Sequence, residues 1–167
     1  MNRLFFDLLD LLKQEMEQYR KLLDLLKRER NAMIRLSLEE IEGCYKLKET
    51  IILKLRIMEE SRLVLIDKIA GHLKISKEGI TLLKISDIVK SPFSEEFKRC
   101  RKNLSCLIHD IAQMNRKNKV FIEDSLECIN GHLTLLNDLI NPNPVYLPSG
   151  KFNRENHFSN KILSKEA

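Results

Sequence analysis

The feature that most constrains this chain is a negative one. No proline occurs before Pro92. Over the same stretch leucine and isoleucine recur at steps of three and four, between charged residues of both signs. A backbone with no forced breaks and an apolar stripe at helical spacing folds into long amphipathic helices. From Asn2 to about Ile34 the stripe is Leu4, Leu8, Leu11, Leu12, Met16, Tyr19, Leu22, Leu23 and Leu26. Phe5, Leu9 and Leu25 widen it, so this helix is expected to meet more than one neighbour.

A short break is expected at Leu36 and Ser37. Ser37 with Glu40 three residues on has the form of a capping box, which opens a second helix from Leu38 to about Leu73. Its predicted stripe is Ile41, Cys44, Leu47, Ile51, Ile52, Leu55, Met58, Leu65, Ile66 and Ile69. A connection this short makes the two helices antiparallel, each on the order of 50 Å long. Gly79 and Pro92 then punctuate a connector, with a short helix predicted at Asp87–Lys90 behind Ser86. The residue before Pro92 is driven out of helical geometry, and the last long helix runs from about Phe93 to Ile140.

That last helix is expected to bury three rows repeating every seven residues. They are Cys100, Leu107, Met114, Phe121, Cys128 and Leu135; Ile108, Asn115, Ile122, Ile129 and Leu136; and Leu104, Ile111, Asn118, Ser125, His132 and Leu139. It is longer than either partner helix, so residual apolar surface is expected at its end, suited to a helix-in-groove partner. Asn115, Asn118 and Ser125 are polar where leucine would pack. Polar groups in an apolar seam cost stability unless paired. They either fix register across the bundle or line a groove for a partner, and the spacing admits both readings.

The chain is thus read as all-α: an elongated antiparallel bundle of three long helices with a short connecting helix, then a flexible C-terminal tail. The bundle occupies residues 1–140 and the tail 141–167. Three prolines and several asparagines break the tail's periodicity, yet it keeps Tyr146, Leu147 and Phe152, the sparse apolar residues of a docking motif.

Composition narrows the function classes. At 167 residues one domain can bury a real core. The net charge of +5 is spread over alternating signs, as on solvated helix faces. A basic cluster of Lys98, Arg99, Arg101, Lys102, Arg116, Lys117 and Lys119 has no aromatic platform and is diluted by Glu95, Glu96 and Asp110, so nucleic acid is not the expected partner. No apolar run reaches the length of a membrane span, and Asp7, Asp10 and Lys13 interrupt the N-terminus too early for a signal peptide. The four cysteines form no CxxC pair and are expected to be free core residues of a cytoplasmic protein. Cys128 and His132 share the i, i+4 spacing of two zinc ligands, but no further ligands accompany them, and no metal is expected. Phosphate-loop, GxSxG and HExxH motifs are all absent, and the adjacent pairs Glu39–Glu40 and Glu59–Glu60 point to different faces. Neither an enzyme nor a cofactor is expected.

The residues also carry a family pattern. The helical hairpin opening with LLDLLKQEMEQYRKLLDLLKRERNAMI, the last helix with NRKNKVFIEDSLECINGHLTLL, and the tail with VYLPSGKF together resemble the FlgN family. Asn115, Asn118, Ile122, Ser125, Leu126, Ile129 and Leu133 match its last-helix pattern, and Tyr146 with Gly150 its tail pattern. Departures are a more basic composition, the cysteines and an asparagine-rich tail. The resemblance implies a cytoplasmic flagellar type III export chaperone. Such a chaperone binds the C-terminal helices of hook–filament junction proteins like FlgK and FlgL, keeps them from polymerising early, and delivers them to an FlhA-like export gate. The expected client surface is Asn115, Asn118, Phe121, Ile122, Ser125, Ile129 and Leu133, with Tyr146 docking the gate or the client. A monomer or small homo-oligomer is expected. The alternative is a structural coiled-coil scaffold subunit of a secretion apparatus, which would form stable higher oligomers.

Overall fold

The computed structural model describes residues 2–73, 81–89 and 92–140. They form four helices and no strand: α1 (Asn2–Ile34), α2 (Leu38–Leu73), α3 (Leu82–Ile88) and α4 (Phe93–Ile140). The chain is all-α. It divides into two units, Met1–Phe121 and Ile122–Ala167, and α4 contributes to both.

In the first unit α1 supplies most of the core. It buries Phe5, Leu8, Leu9, Leu12, Met16, Leu22, Leu25 and Leu26, the predicted stripe together with the residues that widen it. At about 1.5–3 kcal/mol for each fully buried large apolar side chain, this face is the main source of stability. Against its start pack Ile69 of α2, Ile85 of α3, and Phe97, Cys100 and Leu104 of α4. Phe5 sits 5.5 Å from Phe93 and 6.2 Å from Phe97, ring centroid to ring centroid.

Ion pairs fix the direction of the hairpin. Glu15 meets Arg62, and Glu29 meets Lys48, so α2 runs back along α1. The α1–α4 contacts run the other way. Phe5 meets Phe97 early in both helices, and Leu26 meets Asn118 further along both, so α1 and this part of α4 point in the same direction.

Three expectations change. The predicted stripe of α2 is buried or half-buried except at Leu47 and Ile52, which are exposed; Cys44 and Ile69 are fully buried, together with Ala70. Apolar residues on α2 occur on several faces, and the fold uses only one. The connecting helix spans Leu82–Ile88, not Asp87–Lys90. Thr81 caps it, its hydroxyl accepting from the Lys84 amide at 3.3 Å, while Ser86 lies buried within it and its carbonyl accepts from Ser94 Oγ. The cysteines divide: Cys44 and Cys100 are buried, Cys106 and Cys128 exposed, all four free. Burial pushes the Cys100 thiol up, which keeps it protonated and unreactive. Gly79 and the tail lie outside the described residues.

The turn between α1 and α2 stores strain. Leu36 adopts a left-handed φ of 55°. The Ser37 amide donates to Ala32 O and the Leu36 amide to Met33 O, the paired bonds of a Schellman cap, in which this position is ordinarily glycine. Leu36 is 87% exposed, so its side chain gains little packing in return. Glu40, beside the turn, ion-pairs with Arg35. Relieving the left-handed strain, less the chain entropy glycine adds to the unfolded state, is worth about 0.5–1 kcal/mol. Leu36→Gly is therefore expected to raise Tm by about 1–4 °C, while Leu36→Ala leaves it unchanged. Calorimetric melting of both variants checks this; a lower Tm for the glycine variant would contradict the assignment.

Candidate functional site

The seven-residue rows of α4 separate in the structure. The row of Cys100, Leu107, Met114 and Phe121 and the row of Leu104, Ile111, Asn118 and Ser125 are buried or half-buried through these residues. The row of Ile108, Asn115, Ile122, Ile129 and Leu136 is exposed along its whole length. Beyond Ser125 all three rows are exposed. The expectation that all three form a buried face thus holds for two of them, and only as far as Ser125. Two helices cannot cover an apolar arc as wide as the one α4 carries.

Asn118 is a tie within the first unit. It is 4% exposed, and its amide donates to Leu26 O at 3.0 Å and to Glu29 Oε2 at 3.2 Å. Glu29 also accepts from Lys48, so one carboxylate joins α1, α2 and α4. Beside it Arg30 donates to Lys117 O at 3.1 Å and lies over the Phe121 ring, 5.4 Å from its centroid. Of the two readings of the polar interruptions, this geometry fits the register device at Asn118. Its Oδ1 is buried without a partner, a cost the two donated bonds offset. Asn115, three residues away, is exposed.

A buried ion pair makes the same kind of tie nearer the start of α1. Glu15 is 3% exposed and accepts from Arg62 Nε at 3.0 Å. Burial raises the Glu15 carboxyl above its ordinary value, and Arg62 opposes the rise. A raised acid binds its proton more tightly when folded, so Glu15 stabilises the fold more as pH falls toward the carboxylate range and less as it rises. Sequence reasoning missed both glutamates. The signal was present: Leu8, Leu12, Glu15, Tyr19, Leu22 and Leu26 form an unbroken run of steps of four and three, so Glu15 interrupts an apolar seam as Asn118 does.

The second unit carries the exposed surface. Along Ile122–Ile140 the residues Ile122, Leu126, Ile129, Leu133, Leu136 and Ile140 follow one another at steps of four and three, and each is exposed. Ile129 is 54% and Leu133 58% exposed. This is the spacing of a coiled-coil seam, and among the described residues nothing is packed on it. Ser125 is half-buried, and Cys128 and His132 are both exposed on the same segment. Among the described residues no three His, Cys, Asp or Glu side chains gather as metal ligands, and no helix is long and apolar enough to cross a membrane. The expected client residues are thus placed differently. Asn118 is inside the first unit, Phe121 is half-buried under Arg30, Asn115 is exposed, and Ile122, Ile129 and Leu133 lie on the seam. Tyr146 lies outside the described residues.

The last helix thus carries an exposed apolar seam in an all-α chain. The chain matches the family described as FlgN protein over residues 1–154. It belongs to the FlgN family. FlgN proteins are flagellar export chaperones, and this chain is one of them. No curated protein and no solved structure matches it significantly.

The Asn118 tie predicts a purely structural phenotype. Asn118→Ala removes two donated bonds from a buried site and is expected to cost about 1–3 kcal/mol, read as a lower midpoint in urea denaturation. An unchanged or higher midpoint would mean that the asparagine does not hold α4 on α1.

Proposed function

We propose that this FlgN protein works in the cytoplasm as a non-catalytic chaperone for hook–filament junction proteins of the FlgK and FlgL kind. Its guest is the client's C-terminal helix, which docks on the exposed seam of Ile122–Ile140. Ile122, Ser125, Ile129 and Leu133 carry the contact, extended by Leu126 and Leu136. The observation behind this is the run of six exposed apolar residues at coiled-coil spacing. A helix that must later polymerise with its neighbours has an apolar face that aggregates if left in water. A matching seam shields that face reversibly, needing no nucleotide for release. Early polymerisation is thereby blocked, and the complex is carried to an FlhA-like gate. The first unit is read as a bundle of three long helices joined through a short connector. Tyr146, in the tail of residues 141–167, is the proposed anchor for the gate or the client.

Exposed seam residues contribute to binding and little to folding. Ile129→Asp/Leu133→Asp is expected to leave Tm within about 2 °C of the parent. It is expected to weaken a peptide spanning a FlgK-like C-terminal helix by about thirty-fold or more, as loss of central interface anchors does. Titration calorimetry measures the affinity; an unchanged Kd would remove the seam from the client surface. In light scattering, stable higher oligomers of the parent would favour the scaffold reading instead.

A further inference from the structure

Along the chain, the seam leads into a segment with apolar residues of its own. The positions flanking the six seam residues, Ser125, Asn130, His132 and Asn137, are polar without formal charge. By helical phase Asp124, Glu127 and Asp138 fall on the opposite side of α4. Charge therefore does not choose what lies on the seam; apolar fit and proximity do. Residues 141–167 follow Ile140 directly. Pro142, Pro144, Pro148 and Gly150 fall in 141–150, whereas 153–167 contain neither proline nor glycine. In that second part Phe158 and Ile162 stand four apart, and Leu163 follows at once. A helix there would gather these three on one side, bounded by Glu155 and Glu166 a turn before and after.

We propose that, without a client, the seam is covered by this chain's own residues 153–167. They fold back antiparallel to α4 and lay Phe158, Ile162 and Leu163 over Leu136, Leu133 and Ile129, in that order. This rests on the reading that the seam is the client surface, and it adds how that surface is shielded from other apolar contacts until the client arrives. The reach is sufficient. Packed helix axes lie about 8–10 Å apart, and a twelve-residue tether, 141–152, has an end-to-end distance of roughly 20 Å as a coil. A helix over 153–167 is on the order of 22 Å long, against about 27 Å for the seam. Tethering holds the segment at an effective concentration in the millimolar range, which a second copy of the chain does not share. Three apolar side chains make a weak contact, so the cover is partial and reversible. A client helix that engages all six seam residues displaces it, at an apparent affinity lowered by the fraction of seams already covered.

The test uses the full chain and has two arms. In the first, a peptide spanning a FlgK-like C-terminal helix is titrated onto the parent, onto Phe158→Asp/Ile162→Asp and onto Ile129→Asp/Leu133→Asp. Releasing the cover is expected to tighten the peptide by about two- to ten-fold, while the seam variant weakens it. In the second, Phe158 is replaced by the photo-reactive p-benzoylphenylalanine and the free chain is irradiated. Cross-links are expected within one molecule, to residues 126–140, and saturating client peptide is expected to suppress them. An unchanged or weaker Kd for the Phe158→Asp/Ile162→Asp variant, or cross-links that fall elsewhere, overturns the proposal. The seam reading then still stands, provided that Ile129→Asp/Leu133→Asp weakens the same peptide. If that variant leaves the Kd unchanged, the seam reading falls and the proposal with it. Cross-links between two molecules would assign the seam to a second copy and overturn the proposal.

Discussion

Everything in the first unit depends on the apolar face of α1. Phe5, Leu8, Leu9, Leu12, Leu22, Leu25 and Leu26 are buried there, while α2 and α4 bury only a few residues each. One central helix is wrapped by the others, which meet it from different sides. Two polar ties then fix where each neighbour lies along it. The Glu15–Arg62 pair sets α2, and Glu29 with Asn118 and Lys48 sets α2 and α4 together. Apolar packing alone tolerates sliding by a turn, whereas a buried polar group that loses its partner costs its full desolvation. The leucines supply the stability and the ties supply the register.

Because α1 is the shared partner, α2 and α4 keep apolar surface to spare. On α4 the exposed row of Ile108, Asn115, Ile122, Ile129 and Leu136 runs along the helix beside the two buried rows. From Ile122 onward that row joins Leu126, Leu133 and Ile140 into a seam. In the proposed reading this seam is the surface that takes the client's helix.

Much of this was legible in the sequence because helical periodicity is a local signal. The three long helices, the break at Leu36 and Ser37 and the stripe of α1 all follow from it. The stripe of α2 follows too except at Leu47 and Ile52, since apolar residues such as Tyr45, Ile52, Ile57 and Val64 occur around much of that helix and which of them is covered depends on a distant partner. The cap of α3 was misplaced because threonine and serine both cap, and only the hydroxyl of Thr81 reaches a free amide, that of Lys84. Asn118 was found as an interruption of the seam, but whether it faced a guest or α1 is a question of rotation that spacing leaves open. Glu15 gives the same signal, an acidic residue within an apolar run at helical spacing.

The central proposal is that the exposed seam of Ile122–Ile140 receives a guest helix, while the α1 face is already satisfied within the fold. Hydrogen exchange followed by mass spectrometry tests it directly, with and without a client C-terminal helix. The account predicts slow exchange across Leu8–Leu26 in both states, and rapid exchange across Ile122–Ile140 that slows markedly only when the client is bound. Equal protection of both segments in the free chain, or no slowing of Ile122–Ile140 on addition of saturating client, would contradict it.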